Sequence, residues 1–599
     1  MTRTSRAQRW LALATALTLL MTMATPAAIA KNPKPPVDIQ ILGLNDFHGQ
    51  LEAVPATSTS GARIGATQGS GSSATCNPPT CIPAGGVEYL ATHVANLKAT
   101  NPNTVFVSAG DLIGATPLLS AIFHDEPTIE AFNLMGLDYN GVGNHEFDEG
   151  VDELLRMAYG DESTKGYEPA RADGCHPIDG CGDNDGYAGA DFEFLAANVA
   201  YKDSGKTVFA PYSVHNFPGG VKVAFVGMTL EGTPLIVSPD GIASVDFLDE
   251  AETVNALVPH LQRRGVEAIV VLLHEGGSVN ASGNGAGNVG TINSCNQPTG
   301  AVPQIAGLLD PAIDIMITGH TNWAVNCNFG GLIVTGAASQ GRLITDIDAQ
   351  IDRTTNDFVP GSITVNNRIV TRDVATSQPL TDLIAKYNVF AGPVAARPIG
   401  SATGPLTRAA APSGDSILGR LIADAQLASG DNAQIAFMNP GGIRADINDA
   451  TVISYGEAFN VQPFSNVLTT KDFTGAQIEQ LLEQQFTVNS GPTPGANLRS
   501  NFAILQVSAG FTYAWNSVGG PGDRVDPASI TLNGVPLNPT STYRVTMNSF
   551  LASGGDDFPV FTQGTNVVGG PDDLVALEAY LAVNPNYVPI TTSRITRLP

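Results

Sequence analysis

The feature that most constrains the fold is a series of short apolar segments, rich in β-branched residues, that alternate with helical patterns. Such segments, bounded by polar residues or glycine, are typical of buried strands. The strand patterns lie at 38–45, 104–108, 221–227, 268–273 and 313–317, and the helical patterns lie at 87–99, 127–134 and 250–264. Strands that alternate with helices predict an α/β fold built in layers.

The chain has 599 residues, which is too long for one hydrophobic core and predicts more than one folded unit. A helical segment from Leu380 to Ala396 separates two blocks of α/β pattern. The second block has helical patterns at 416–429 and 474–483 and strand patterns at 435–438 and 503–507. We therefore expect a first domain at 37–375, a linker helix at 376–399 and a second domain at 400–599.

The first 30 residues have the layout of a secretory signal peptide. Three arginines precede an apolar stretch from Trp10 to Met23, and Ala28-Ile29-Ala30 forms a small-residue cleavage site. An uncleaved membrane anchor is the alternative, although the apolar stretch is short for a membrane span. The pattern predicts a secreted protein, located in a periplasm, in the cell wall or outside the cell, with no stable membrane insertion.

Cysteine usage and charge agree with this location. Six cysteines fall into three pairs that are close in sequence and bracket loops, which favours disulfides over a zinc site because no C-x-x-C spacing occurs. The pairs are Cys76 with Cys81, Cys175 with Cys181, and Cys295 with Cys327. The net charge of −26 predicts repulsion of nucleic acids and anionic lipids, so an anionic substrate requires local metal ions or arginines.

Five short motifs at or after predicted strands carry the candidate chemistry. Each motif alone is weak, because a single histidine at a strand end is more often structural. The motifs are Asn45-Asp46-Phe47-His48, Ser108-Ala109-Gly110-Asp111, Gly143-Asn144-His145-Glu146-Phe147-Asp148, Leu273-His274-Glu275 and Gly319-His320-Thr321-Asn322. Ligands bind at the carboxyl ends of strands in α/β sheets, and mixed Asp, His and Asn donors suit Mn²⁺, Zn²⁺, Fe²⁺ or Co²⁺. Together the motifs supply enough ligands for two ions.

The order and spacing of these motifs resemble the calcineurin-like metallophosphoesterase signature. With the block that follows, the chain resembles the secreted 5′-nucleotidases, including the periplasmic UDP-sugar hydrolase type. The resemblance implies a four-layer sandwich, in which helices flank two mixed sheets, and an α/β substrate-binding domain beyond a helical linker. It also implies two divalent metal ions, of Mn, Zn, Fe or Co, and an active site in the cleft between the domains.

The resemblance assigns the metal ligands residue by residue. Asp46, His48 and His320 match ligands of one ion, Asn144 and His274 match ligands of the other, and Asp111 matches the bridging carboxylate. Asn322 stands where the family usually has His or Gln. It can therefore be a metal ligand or a residue that lies just outside the ligands, and both roles stay open.

The same resemblance implies a catalytic pair. His145 lies beside the scissile phosphate, where it stabilises developing charge or protonates the leaving oxygen. Asp148 holds the imidazole of His145 in one orientation. The two ions clamp the phosphoryl group and activate a water molecule that attacks it.

Three loops of the second block resemble the nucleotide-binding loops of the family. They are Asn439-Pro440-Gly441-Gly442-Ile443-Arg444, Gln462 to Asn466, and Phe550 to Asp556. The implied substrate-binding residues are Arg408, Asn439, Arg444, Phe464, Asn466, Phe550 and Asp556. Two aromatic rings can sandwich a base, an aspartate can bind ribose hydroxyls and arginines can grip a phosphate. Core packing of the two rings and a surface ion pair of Arg444 are the alternatives.

We therefore predict a metal-dependent phosphoric monoester hydrolase that releases phosphate from nucleoside 5′-phosphates, a 5′-nucleotidase. Nucleotide di- and triphosphates and UDP-sugars are further candidate substrates. One alternative is a 2′,3′-cyclic-nucleotide 2′-phosphodiesterase with 3′-nucleotidase activity, and another is a non-catalytic surface binding protein. Base preference and oligomeric state, monomer or dimer, stay open.

Overall fold

The structure is a computed structural model. It describes residues 34–54, 63–65, 81–160, 171–177, 181–182, 185–237, 241–279, 292–464, 466–489, 495–499 and 502–599. The predicted signal peptide, Cys76 and Ser465 lie outside the described residues, and so does the predicted bond between Cys76 and Cys81.

Two six-stranded mixed sheets form the centre of the first part of the chain. The first sheet contains, in spatial order, Thr364–Ile369, Leu343–Ile351, Val37–Leu44, Thr104–Ser108, Tyr139–Gly141 and Glu193–Leu195. The second sheet contains Ala324–Phe329, Leu332–Ala337, Ile315–Thr318, Ala268–His274, Val221–Thr229 and Tyr212–Phe217. The central strands of each sheet run parallel, so their carboxyl ends meet at one edge.

The sheets pack face to face, and helices cover their outer faces. Alternation along Val37–Leu44 sends Ile39 and Ile41 into the core between the sheets, where they meet residues such as Phe225 and Leu272. On the outside of the first sheet lie Val87–Lys98, Leu118–Ala121, Glu126–Met135, Val151–Tyr159 and Gln378–Ala395; on the outside of the second sheet lie Glu250–Arg263 and Ala301–Ala306. The predicted four-layer sandwich is thus confirmed.

Smaller elements complete this part of the chain. Three two-stranded pairs join Arg63–Gly65 to Cys81–Pro83, Val199–Tyr201 to Val245–Phe247, and Gly277–Ser278 to Thr299–Gly300. Short 3-10 turns occur at His145–Phe147 and Thr233–Leu235. Disulfides join Cys175 to Cys181 and Cys295 to Cys327, as predicted. No helix within the described ranges has the length and apolar character that crossing a membrane requires.

The second part of the chain is built around a five-stranded sheet. Its spatial order is Gln506–Val507, Ile435–Met438, Thr542–Asn548, Val467–Thr474 and Thr565–Asp572. A four-stranded sheet contains Val535–Pro536, Thr531–Leu532, Phe511–Asn516 and Ile595–Leu598, and two small pairs join Pro398–Gly400 to Ile453–Ser454 and Thr487–Val488 to Asn497–Leu498. The α/β class predicted for this block is confirmed, but the strand predicted at 503–507 is only two residues long.

Helices of the second part begin at recognisable caps. The α-helices are Ile417–Ser429, Tyr455–Val461, Gly475–Gln484, Ser549–Ala552 and Asp573–Val583, and the 3-10 turns are Pro440–Gly442, Pro527–Ser529, Gly555–Asp557 and Pro559–Gln563. Ser454 and Thr474 each form a capping box with the residue three positions later, Glu457 and Gln477. Such reciprocal bonds satisfy backbone N–H groups that a helix start leaves without partners. Local sequence therefore fixes where these helices begin.

The long helix Gln378–Ala395 connects the two parts and packs on the first. Its Tyr387 is buried and lies edge-on against Phe123, with ring centroids 4.7 Å apart. Leu118 of the first part belongs to a core cluster of the second part that includes Leu418. The two parts thus share buried contacts, while the domain limits at 375, 399 and 400 stay a prediction.

Candidate active site

Most of the predicted metal-ligand residues follow directly on parallel strands. Asp46 comes two residues after Val37–Leu44, Asp111 three after Thr104–Ser108 and Asn144 three after Tyr139–Gly141, all in the first sheet. In the second sheet, His274 ends its strand and His320 follows Ile315–Thr318. Predicted metal-binding residues from both sheets therefore lie at one edge, formed by the carboxyl ends of the strands. Sheets of α/β proteins bind their ligands at this edge.

Left-handed backbone turns aim these side chains. Asp46, His48, Asp111, His320 and Asn322 all have positive φ angles, between 49° and 66°. Such conformations cost free energy in residues with a β-carbon and concentrate at functional sites.

Gly110, directly before Asp111, has a φ of 88°. A β-carbon built on Gly110 would lie 2.7 Å from Nδ1 of His274 and 2.7 Å from the Gly143 nitrogen. Only glycine allows the loops to approach this closely.

One ligand group consists of Asp111, His274 and His320. Nε2 of His274 lies 3.0 Å from Oδ2 of Asp111, and the other ring nitrogen, Nδ1, lies 2.7 Å from the carbonyl oxygen of Ala109. Nδ1 of His320 lies 2.9 Å from the side-chain oxygen of Asn144. His320 therefore lies with His274 and Asn144 here, whereas the resemblance grouped it with Asp46 and His48; the division of ligands between the ions stays a prediction.

A second group, formed by His48, Asp111 and His145, lies beside Asp46. In this group His48 has contacts with both carboxylates. Its Nε2 lies 3.7 Å from Oδ2 of Asp111 and 3.9 Å from Oδ1 of Asp46, while its Nδ1 bonds to the carbonyl oxygen of Gly114 at 2.9 Å. Asp111 is common to both groups. Asn322 lines the same cavity as His48, and its side-chain amide donates to the carbonyl oxygen of His320 at 3.4 Å.

These residues fit divalent metal ions. Oδ1 of Asp46 is fully buried and has no hydrogen-bond partner among the described residues, a costly state for a carboxylate unless a cation binds it. The neighbouring donors are imidazole nitrogens, carboxylates and an amide oxygen, which suit ions such as Mn²⁺ or Zn²⁺. The histidine tautomers needed for binding are favoured by the backbone carbonyls that hold their outer nitrogens.

In the protein without metal ions, burial is the largest single influence on the pKa values of these side chains. It raises the pKa of Asp46 to about 7 and lowers the pKa of His48 and of His320 to about 3. The pKa of His274 rises to about 10, since the carboxylate of Asp111 outweighs the burial that opposes its charge. Crowded acids and bases of this kind are typical of functional sites.

His145 and Asp148 form a hydrogen-bonded pair beside the ligand groups. Nδ1 of His145 lies 2.7 Å from Oδ2 of Asp148, and the backbone N–H of His145 donates to Oδ1 of Asp111 at 3.0 Å. Burial opposes an imidazolium here, but the carboxylates of Asp148 and Asp111 prevail and raise the pKa of His145. The pair can hold a proton next to Asp111.

Residues from the second part of the chain complete the cleft. The ring of Phe464 stacks on the imidazole of His145, with centroids 6.0 Å apart and planes 16° apart. The guanidinium of Arg444 lies 5.8 Å above the Phe464 ring, and its charge acts on the carboxylates of Asp148 and Asp111. Burial and the nearby Arg408 lower the pKa of Arg444, so two cationic groups converge on the same space.

A cavity of about 800 Å³ opens from the ligand groups between the two parts of the chain. His48 and Asn322 line it on one side, and Arg408 and Arg444 line it on the other. Carboxylates and amides, including Glu52 and Asn460, line it further out. The cavity can hold an anionic group against the two arginines and a polar group beyond it.

The other predicted nucleotide-binding residues lie on adjoining loops. The amide nitrogen of Asn439 donates to Oδ2 of Asp556 at 2.8 Å, and the side-chain oxygen of Asn466 accepts the backbone N–H of Phe550 at 3.2 Å. The two asparagines therefore tie the loops together, and Phe550 and Asp556 are absent from the part of the cavity wall that the structure describes.

Glu146 is a site residue that the sequence-based analysis missed. Its buried carboxylate accepts backbone N–H groups from Asp111, Leu112 and Gly143 at 2.7–3.0 Å. It thereby locks the loop that carries Asp111 to the loop that carries His145. Its place in the Gly143 to Asp148 motif was the available signal.

Comparisons with known proteins show which family and fold this chain shares. The profile of the 5′-nucleotidase C-terminal domain matches residues 398–563. The cell wall protein Lmo0130 of Listeria monocytogenes is 32% identical over 595 residues, which cover 94% of this chain and 69% of that protein.

The chain belongs to the 5′-nucleotidase family. Membership confirms the predicted enzyme class, that of metal-dependent phosphoesterases, at the level of the family. Endonuclease YhcR of Bacillus subtilis is 31% identical over 92% of this chain, but the chain spans only 40% of YhcR.

A solved structure extends the comparison to the fold of this 5′-nucleotidase family member. The 5′-nucleotidase precursor from Thermus thermophilus superposes with a TM-score of 0.68 at 24% identity, covering 94% of this chain and 99% of that chain. Both the layered first part and the second part are thus shared with that structure.

Proposed function

We propose that this chain is an extracytoplasmic phosphohydrolase that uses two divalent metal ions to release phosphate from nucleoside 5′-phosphates. The observation that carries the proposal is the position of Asp111, which belongs to both ligand groups and bonds the backbone of His145. A carboxylate that belongs to both ligand groups and lies beside a histidine–aspartate pair is suited to phosphoryl transfer to water. The positive charge of Arg444 acts on the same carboxylate.

The structure supports a specific division of the ligands. Asp46, His48 and Asn322 would hold one ion, and Asn144, His274 and His320 would hold the other, with Asp111 bridging them. When bound, such ions polarise phosphate oxygens and lower the pKa of a water molecule. The identity of the ions, among Mn, Zn, Fe and Co, is part of the test.

His145 and Asp148 would handle the leaving group. Because Nδ1 of His145 bonds to Asp148, Nε2 is the nitrogen that can donate to the leaving oxygen. The carboxylates of Asp148 and Asp111 outweigh burial and raise the pKa of His145, which favours the protonated imidazole that this role requires. Asp148 orients the ring and stabilises its charge.

The second part of the chain would recognise the substrate. Arg408 and Arg444 would bind phosphate oxygens in the cavity, and Phe464 and Phe550 would stack on the base. Asp556, held by Asn439, would accept ribose hydroxyls, while Asn466 holds the Phe550 loop. Nucleotide di- and triphosphates and UDP-sugars carry the same groups and are included as candidate substrates.

Three observations support a location outside the cytoplasm. The first 30 residues have the pattern of a signal peptide, two disulfides close loops, and a relative that covers most of this chain is named a cell wall protein. We propose the domain limits 37–375, 376–399 and 400–599 for the mature protein.

The deciding experiment is phosphate release from AMP, ATP, UDP-glucose, 2′,3′-cyclic AMP and bis-p-nitrophenyl phosphate. Each substrate is assayed with Mn²⁺ and again after EDTA treatment. Metal-dependent release from AMP, faster than from the two diesters, is expected. A preference for 2′,3′-cyclic AMP would identify the cyclic-nucleotide phosphodiesterase instead, and no turnover of any substrate by metal-loaded protein would favour a binding protein.

A further inference from the structure

A third cluster of metal-ligating side chains lies outside both ligand groups of the cleft. It consists of His124, Glu149 and His176, and we name it the His-Glu-His cluster. One donor atom from each residue lies within 4.8 Å of the other two. Nδ1 of His124 is 2.9 Å from Oε2 of Glu149, and the rings of His124 and His176 stack with centroids 3.7 Å apart.

Three separate segments bring these side chains together. His124 follows the short helix Leu118–Ala121, Glu149 lies just before the helix Val151–Tyr159, and His176 lies in the loop that the Cys175–Cys181 disulfide closes. His124 also adopts a left-handed backbone conformation, with a φ of 49°. A strained residue and a cross-linked loop that converge on one carboxylate resemble a built site more than a chance contact.

The chemistry of the cluster matches a cation of the zinc type. Two imidazoles and one carboxylate are a common ligand set for Zn²⁺, which leaves a fourth position for water. The side chain of His124 is 18% exposed and that of Glu149 is 51% exposed, so an ion can reach them from solvent. Burial lowers the pKa of His176, which favours the neutral imidazole that a metal requires.

We propose that the His-Glu-His cluster binds one zinc-type divalent cation, as a site separate from the ions that Asp111 would hold. Zinc–donor distances of about 2.0–2.2 Å would require the three side chains to move closer together than they stand here. Because the His124 and His176 rings lie stacked, with planes 15° apart, one of them would also have to turn so that both lone pairs point at the ion. The ion would then cross-link the three segments. Since Glu149 directly follows Asp148, it would also brace the segment that positions His145.

The first test is a metal count. Wild-type protein and the variants H176A and E149Q are incubated with Zn²⁺, passed through a desalting column and analysed for zinc per chain. H260A, which removes an exposed histidine from the helix Glu250–Arg263, is the matched control. We expect H176A and E149Q each to retain one zinc ion fewer than wild type and H260A to retain the same number.

Equal zinc content in all four proteins would overturn the proposal. Because the measurement is a difference between variants, it does not depend on how many ions the cleft holds or on whether the chain hydrolyses nucleotides. Circular dichroism and melting of the metal-free variants check that each one is folded.

The second test uses wild-type protein alone and is therefore independent of how variants fold. Histidines are modified with diethyl pyrocarbonate with and without Zn²⁺, and modified peptides are quantified by mass spectrometry. Zinc is expected to reduce modification of His176 at least about fivefold while that of His260 stays constant. Unchanged modification of His176 in saturating Zn²⁺ would overturn the proposal.

Discussion

The two walls of the cleft are built differently. In the first part of the chain several site residues that follow parallel strands are almost completely buried: Asp46, Asp111 and His274 are at most 1% exposed. In the second part they lie on loops around a smaller sheet, and Phe464 and Phe550 are half-buried. The site residues of the first part are positioned by two sheets, whereas those of the second part are positioned by hydrogen bonds between loops.

This difference suggests a division of labour. Ligands for metal ions need positions fixed within a fraction of an ångström, which strands and buried hydrogen bonds supply. Recognition of a nucleotide tolerates more movement and benefits from loops that adapt. We expect changes in the strand-built wall to reduce kcat and changes in the loop-built wall to raise KM.

The largest effect is expected for D111N. Asp111 belongs to both ligand groups, so its loss should remove ions from the whole centre and lower kcat at least about 10³-fold. Metal content and AMP hydrolysis are measured on the same preparation. D556N, on an adjoining loop of the second part, is the control and should keep its metal; full activity of D111N would refute the shared ligand.

H145A is expected to lower kcat about 10²- to 10⁴-fold with little change in KM or metal content. The histidine is hydrogen-bonded to Asp148, and its ring would donate a proton to the leaving oxygen. Substrates with a very good leaving group, such as p-nitrophenyl phosphate, should be affected less. An equal loss for good and poor leaving groups would rule out the proton-donor role.

R444A tests the residue that connects the two walls. Arg444 comes from the loop-built wall, but its charge acts on Asp148 and Asp111. Loss of charge-assisted hydrogen bonds worth about 1.5–3 kcal/mol should lower kcat/KM about 10- to 100-fold. R444K should recover only part of the loss, because lysine lacks the planar fork. Wild-type kinetics in R444A would place Arg444 outside the substrate site.

The smallest effect is expected for F464A. Loss of one stacked ring, worth about 0.5–1.5 kcal/mol, should raise KM for AMP up to about tenfold and leave kcat close to wild type. Hydrolysis of p-nitrophenyl phosphate, which has no base, is the control. Because Phe464 stacks on His145, a fall in kcat as large as that of H145A would break the proposed division between the walls.

Much of the fold could be predicted because its signals are local. Strand patterns at 104–108 and 268–273 recur as Thr104–Ser108 and Ala268–His274, and the predicted helices begin and end within a few residues of those observed. The strand predicted at 503–507 is too long, because only Gln506–Val507 pairs with the neighbouring strand. The apolar residues before it pack in the core without strand hydrogen bonds. The strands Val467–Thr474 and Thr542–Asn548 were not predicted at all.

Local sequence also determined which residues have the right chemistry, since Asp46, Asp111, His145 and His274 stand in short motifs at predicted strand ends. Their roles and those of the nucleotide-binding residues stay predictions. Which of these side chains contact one another could not be read from the sequence. The placement of His320 with His274, and the three N–H groups that Glu146 accepts, depend on how the ends of different strands face one another.

The sequence by itself determined the layered α/β class, the cysteine pairs that the structure describes and the residue types that the structure gathers at the candidate site. Periodicity, residue chemistry and short loops are properties of neighbouring residues. Only the tertiary structure decided that Phe464 stacks on His145, that Arg444 acts on Asp111 and that His124, Glu149 and His176 meet. These contacts join segments tens to hundreds of residues apart, and they exist only once packing of the sheets, helices and linker has fixed the distances between them.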